Sequence, residues 1–215
     1  MSTIYPDVNK YKANDTELCW AAAASNALVW TGWNQAMAQA SGGSVLTEEE
    51  IYDYFRNYSF KGMTDDGWFV LPAIRWILSE FKVDVDYMRV AQYRSPHDLF
   101  LSVPAFNTNG RTCALFDLYL DEIYGSYSGH VITVYRTYPQ TAPSHKENDP
   151  RIVQSFLFCD SDDHVGAQRD IHQSQTIDFI AYSPSFRSFV LRYAGKLYHL
   201  ARWCSVSPFQ GAHFN

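Results

Sequence analysis

The run Cys19-Trp20-Ala21-Ala22-Ala23-Ala24-Ser25-Asn26 sets the tightest limit on how this chain can fold. Four consecutive alanines combine the highest helix propensity with side chains too small to hold neighbours away. The helix they predict, over about residues 17–31, is thin, so other elements can approach its axis closely. The run opens with a cysteine preceded by Asn14-Asp15-Thr16-Glu17-Leu18, which puts the thiol at the mouth of the helix. The partial positive charge of first-turn amides favours a thiolate there. A cysteine that only filled a core would not need that setting, and Cys19 is therefore the first candidate for a nucleophile.

The rest of the first half reads as helical and the second half as strands. Thr47-Glu48-Glu49-Glu50 is a capping box, and Ile51, Tyr54, Phe55 and Tyr58 follow at helical spacing. Residues 68–81 form a further helix with Pro72 confined to its first turn. Ser95-Pro96-His97-Asp98 has the cap, the first-position proline and the acidic residue of a short helix start, making His97 a surface residue of that turn. A turn signal at Asn107-Thr108-Asn109-Gly110 precedes strands over 112–120, 130–137, 152–159 and 176–182, then a hairpin over 189–203 around Ala194-Gly195-Lys196. Residues 138–150 read as a polar loop containing proline, the most mobile segment of the chain. Helices followed by an antiparallel sheet predict an α+β fold in one domain spanning 1–215. Helices first, with the nucleophile on the first of them, is also the order of papain-like cysteine hydrolases.

Charge and cysteine usage narrow the function classes. A net charge of −6 with no basic stripe argues against nucleic acid as a partner. No apolar run approaches a membrane span and no leader peptide is visible at the N-terminus, so no membrane is expected. The four cysteines, Cys19, Cys113, Cys159 and Cys204, lie far apart without a C-x-x-C, which speaks against a zinc site or a dithiol pair. No metal or cofactor is expected. Cys113, Cys159 and Cys204 read as small buried hydrophobes. The 16% aromatic content suits dense packing or a peptide-binding groove, and Trp20, Trp30, Trp33, Trp68 and Trp76 are assigned to packing.

A nucleophilic thiol needs a base, a group that orients the base, and donors for an oxyanion. His130 is the leading base: it starts the strand Gly129-His130-Val131-Ile132-Thr133-Val134-Tyr135 after a flexible Gly125-Ser126-Tyr127-Ser128 stretch. The strand ending Phe158-Cys159 runs straight into Asp160-Ser161-Asp162-Asp163. Asp160, first after the strand, is best placed to accept a hydrogen bond from the His130 ring and hold its tautomer. Asp162 shares its side if the strand geometry persists. Asp162 and Asp163 also read as turn residues, and the loop lacks the full ligand ladder of a calcium site. His164 is a rival base near Asp162. His145 is a loop residue, His172 and His199 flank the sheet, and His213 belongs to the tail.

Four blocks in this order resemble the streptococcal immunoglobulin-degrading cysteine endopeptidases of the IdeS/Mac type, a papain-like family. They are Asp7-Val8-Asn9-Lys10, Glu17 to Asn26, Gly129-His130-Val131-Ile132 and Cys159-Asp160-Ser161-Asp162. The resemblance implies a papain-like fold, with Cys19 as nucleophile, His130 as base and Asp160 as the acid that orients it. It further implies a supporting role for Asp162, and makes Lys10 an oxyanion donor beside the Cys19 amide, with Lys12 a competitor for that role. The Cys19–His130 interval is shorter than in the streptococcal enzymes, implying trimmed substrate-gripping loops. Immunoglobulin is thus admitted as a substrate by resemblance only.

The expectation is a cofactor-free cysteine endopeptidase acting on a protein or peptide substrate. By resemblance it is a secreted bacterial virulence factor. Two other classes stay open: deamidation, transglutamination or another amide hydrolysis through the same triad, and a non-catalytic interaction module on a hydrolase scaffold.

Overall fold

The computed structural model describes residues 5–8, 18–58, 70–85, 90–93, 110–120, 129–139, 154–160, 175–183, 188–193 and 196–212. Four helices come first: α1 (Cys19–Trp30), α2 (Trp33–Ser41), α3 (Glu48–Tyr58) and α4 (Val70–Glu80). Seven strands follow among the described residues: β1 (Val90–Tyr93), β2 (Cys113–Leu120), β3 (Gly129–Pro139), β4 (Gln154–Cys159), β5 (Gln175–Ser183), β6 (Ser188–Tyr193) and β7 (Lys196–Val206). The α+β class holds, with helices and strands segregated along the chain as the sequence predicts.

Helix α1 is the axis of the helical part. Ala21, Ala22, Ala23 and Ala24 are at most 3% exposed, and Ser25, Asn26, Ala27, Leu28 and Trp30 are buried as well. A helix buried on every side must be apolar or small all round rather than amphipathic. Here the small side chains let α2, α3, α4, β2 and β3 all pack against it. Ser25 and Thr31 satisfy their hydroxyls within the helix by donating to the carbonyls of Ala21 and Ala27. Gly32, at φ 78°, then turns the chain directly into α2. That left-handed conformation costs an L side chain energy and costs glycine none.

The capping box is made as expected. Thr47 N donates to Glu50 Oε2 at 2.8 Å and Glu50 N to Thr47 Oγ1 at 3.3 Å. Ile51 and Phe55 bury the inner face of α3, joined by Tyr52. Pro72 is the third residue of α4, within the first turn, where its missing N–H would have had no helical acceptor. Helix α2 was not marked by the sequence. It follows a glycine with no side-chain cap, and its burial of Trp33, Ala36 and Met37 is visible only once α1 is in place.

All strand pairs are antiparallel, in the order β1-β7-β2-β3-β4-β5-β6, and β6 pairs again with β7. The pairings therefore close on themselves. Leu200 of β7 faces Leu118 of β2 on one side and Phe189 of β6 on the other. The long strand β7 makes this possible: beside β2, its first half pairs with β6 and its second half with β1. Alternate residues divide two cores. Ala114, Phe116, Leu118, Ile132, Val134, Phe156, Phe158, Leu200 and Trp203 pack together inside the ring. Cys113, Leu115, Val131, Tyr135, Cys159, Cys204 and Val206 turn to the helices and join their core. A bulge opposite Asp117 and Leu118 skips one residue of β7, which keeps both Leu200 and Trp203 in the inner core.

The short edge strand β1 was also not marked by the sequence; four residues carry too little pattern, and its place is set by pairing with Trp203 to Val206. Residues 138 and 139 belong to β3, so the loop expected over 138–150 loses its first two residues. Residues 140–150, Trp68, the Ser95–Asp98 turn and residues 107–109 lie outside the described residues. Among the described residues no helix is long and apolar enough to cross a membrane.

Residues 5–8 lie across α1 and the sheet as a strap. Tyr5 stacks on Trp30 with ring centroids 4.9 Å apart and meets Tyr135 at 5.1 Å. The Tyr135 hydroxyl donates to the Pro6 carbonyl, and Val8 N donates to Asn26 Oδ1 at 2.9 Å.

The close packing of α1 gives a direct test. Ala22→Leu is expected to lower the unfolding free energy by about 1–3 kcal/mol through overpacking, whereas the exposed Ala40→Leu changes it by less than about 0.5 kcal/mol. Urea denaturation of both variants measures the contrast. Equal, small effects would show that α1 is not enclosed.

Candidate active site

Cys19 is the first residue of α1, with Leu18 before it as the cap position. The Leu18 carbonyl accepts from Ala21 N at 3.0 Å and Ala22 N at 3.1 Å, so the helix is fully wound one residue beyond the thiol. Cys19 is buried, 8% exposed as a residue. The cap position carries no side-chain hydrogen bond, and first-turn N–H groups have no acceptor within a helix.

His130 stands at the start of β3 and Asp160 directly after β4. The register explains how they meet. Thr133 pairs with Cys159, so the next residue, Asp160, falls beside Ile132 and diagonal to His130 on the same side. His130 Nε2 donates to Asp160 Oδ1 at 2.6 Å. A carboxylate only accepts, so the proton of this short, charge-assisted bond sits on the ring nitrogen. The imidazole side chain is 15% exposed and the carboxylate 7%.

Cys19 neighbours the same ring and acts on its titration together with Asp160. Burial alone would lower the His130 pKa, because it penalises the imidazolium. The hydrogen bonds to Asp160 and Cys19, reinforced by the charges of both, outweigh burial and raise it to about 10. Opposite charge wins over desolvation here because the ring has two anion-forming neighbours, Asp160 and Cys19. The arrangement can hold a charged imidazole between a sulfur and a carboxylate.

Helix and sheet are tied together beside the site. Thr133 Oγ1 donates to the Ala23 carbonyl at 3.2 Å, pinning β3 to α1 one turn below Cys19. Asn26 Nδ2 donates to Cys159 Sγ at 3.5 Å, pinning β4 to α1 two turns below it. The Cys159 thiol in turn donates to Asp7 Oδ1. Cys159 is thus more than the small hydrophobe its apolar strand suggests: it is buried and makes polar contacts with Asn26 and Asp7. Asn26 was assigned no role in the sequence, although seven residues after Cys19 is two helical turns and places both on one face.

All four cysteines are free. Burial raises the Cys113 thiol well above its ordinary value, with the nearby Cys204 adding to the effect, and burial pushes Cys204 up to about 12. Both stay protonated and inert, as expected of core residues. Trp20 packs edge-on against Phe55 and Trp33 Nε1 donates to the Ser207 carbonyl, in keeping with packing roles. Lys10, Lys12, Asp162, Asp163, His145, His164, His172 and His213 lie outside the described residues. Of the five predicted site residues, the structure brings together Cys19, His130 and Asp160. A cavity of about 340 Å³ lined by Trp33, Ala36, Lys82, Val83, Asp84 and Phe209 includes none of the three. Among the described residues no cluster of histidine, cysteine and acidic side chains has the makings of a metal site.

No family model matches the chain, and no curated protein matches it.

The raised His130 pKa has a defined consequence for stability. In the unfolded chain the ring titrates near about 6.5, and in the folded protein at about 10. Stabilisation from the charged ring is therefore complete below the unfolded value and is lost as pH rises through the folded value. Replacing the ring by His130→Asn is expected to cost about 3–5 kcal/mol near neutrality, the scale for breaking a buried pair from one side. That cost shrinks as pH rises towards 10. Urea unfolding of both proteins across this range measures it, and a gap that stayed constant would mean the folded ring is neutral.

Proposed function

We propose that this chain is a cysteine endopeptidase of papain-like fold, related in design to the IdeS/Mac-type enzymes its sequence blocks resemble. The observation that carries the reading is the single imidazole of His130, bonded at 2.6 Å to Asp160 and neighboured by Cys19 at a helix N-terminus. A nucleophile on the first turn of a buried helix, facing a histidine at the start of an antiparallel strand, supports the finer fold assignment. No metal or cofactor enters the reaction as proposed.

In the proposed mechanism Cys19 and His130 act as a pair, the ring carrying the proton while the sulfur is the nucleophile. The Cys19 sulfur attacks a peptide carbonyl carbon, and the carbonyl oxygen becomes an oxyanion. The Cys19 amide, at the positive end of α1, stabilises that charge, and Lys10 adds an ammonium if the resemblance holds at that position. His130 then gives its proton to the leaving amine, and a thioester remains on Cys19. Water, deprotonated by the now neutral ring, hydrolyses the thioester and restores the pair. Asp160 keeps the ring oriented and favours its charged form throughout. The substrate is an exposed or extended protein segment, and the resemblance assigns the enzyme to the outside of the producing cell.

Digestion of a broad proteome by the intact protein and by Cys19→Ala, with new peptide termini mapped by mass spectrometry, tests the reading. New termini are expected only with the intact protein. Lys10→Ala is expected to retain the same cleavage sites at a rate about a hundredfold lower, the usual effect of losing one oxyanion donor, while Lys12→Ala is near wild type. One-dalton gains at glutamine or protein cross-links without new termini would redirect the reading to deamidation or transglutamination. None of these products would leave a non-catalytic interaction module.

A further inference from the structure

Asp7, Asn26 and Cys159 are linked in a closed circuit outside the three reacting groups. Asn26 Oδ1 accepts from Val8 N at 2.9 Å while its Nδ2 donates to Cys159 Sγ at 3.5 Å. The Cys159 thiol donates to Asp7 Oδ1, and Asp7 is bonded to Val8, which closes the loop. Asn26 is 1% exposed, so each end of its amide is committed where water offers no replacement. Three chain segments meet here: the helix that begins with Cys19, the strand whose next residue is Asp160, and the strap of residues 5–8.

We infer that Asp7, Asn26 and Cys159 are positioning residues that hold the nucleophile helix and the acid-bearing strand in register, so that the His130 ring meets Cys19 and Asp160 together. The inference rests on the proposed thiol–imidazole–carboxylate site. Its physical basis is leverage. Cys159 turns towards α1 and Asp160 follows it directly, so fixing the Cys159 side chain fixes the backbone from which the carboxylate projects. Asn26 lies two turns below Cys19 on the same helix, so fixing its amide sets the rotation and depth of the nucleophile. Thr133 ties β3 to α1 independently, through the Ala23 carbonyl. Without the circuit the sheet would still dock, but the carboxylate would be free to shift relative to the ring. Such small displacements carry large kinetic effects, because reactivity depends on alignment more than on proximity. The strap joins the same circuit through Asp7 and Val8.

The test reads the reactivity of Cys19 itself and needs no substrate. Iodoacetamide alkylation is followed at about pH 6, where ordinary thiols react slowly, with the Cys19 peptide quantified by mass spectrometry. The set comprises wild type, Cys159→Val, Cys159→Ser, Asn26→Asp, Asp7→Ala and His130→Ala. Cys159→Val keeps the shape and loses the contacts to Asn26 and Asp7; Asn26→Asp keeps the acceptor for Val8 and loses the donor to Cys159. Both are expected to slow Cys19 alkylation about tenfold, on the scale of one lost hydrogen bond, and to alter its pH profile. Cys159→Ser, which restores donor and acceptor, is expected to recover most of the wild-type rate and profile. A role confined to folding would lower the unfolding midpoint and leave rate and profile unchanged. Should Cys159→Val not fold, Asp7→Ala, at a partly exposed position, carries the test. Slow alkylation of His130→Ala together with wild-type rates for every folded circuit variant would overturn this inference and leave the proposed site standing. Equal rates for wild type and His130→Ala would overturn both.

Discussion

Enclosure of α1 is the constraint from which the rest of the structure follows. The helix is surrounded by α2, α3, α4 and two strands of the sheet, an arrangement that only side chains of alanine size allow along its middle. Close approach of the backbones has a chemical consequence. Hydroxyl and amide side chains can reach main-chain or sulfur atoms across the interface, as Thr133 reaches Ala23 and Asn26 reaches Cys159. The helix end carrying Cys19 is thus anchored on several sides. A side chain on so constrained an element has a fixed position, and positional precision is what a helix-borne group has and a loop-borne one lacks.

The electrostatics of the site depend on that rigidity. Burying His130 beside two groups that can bear negative charge would be costly if any of the three lacked its partner. With Asp160 at 2.6 Å and Cys19 as a second neighbour, pairing outweighs burial and the ring is held charged. Cys113 and Cys204 show the opposite balance. They are just as buried, and burial keeps their thiols protonated. The cysteines of this chain therefore differ according to what the fold places next to each, Cys159 being a hydrogen-bonded link and Cys113 and Cys204 buried, protonated thiols.

Much of the architecture was legible because local signals agreed with one another. The Thr47–Glu50 capping box, Pro72 in a first turn, and the paired strands on either side of residues 194–195 all correspond to elements found. Helix α2 and strand β1 were not legible, for a common reason. Helix α2 starts without a side-chain cap and β1 is only four residues long; α2 forms where Gly32 turns the chain out of α1, and β1 because β7 offers a free edge. Closure of the sheet was equally hidden, since it depends on β7 being long enough to serve β6 and β1 in succession.

Residue types and their order determined the candidate chemistry: a cysteine at the head of an alanine helix, a histidine opening a strand, an aspartate closing another. Those features are local, set by helix propensity, strand alternation and the ends of elements, and they can be read one segment at a time. The tertiary structure decided which groups meet. The pairing of Thr133 with Cys159 brings Asp160 to His130, and docking of β3 on α1 brings the ring to Cys19. It alone gave Cys159 and Asn26 their partners, because a hydrogen bond between residues 133 apart depends on packing that no local pattern encodes.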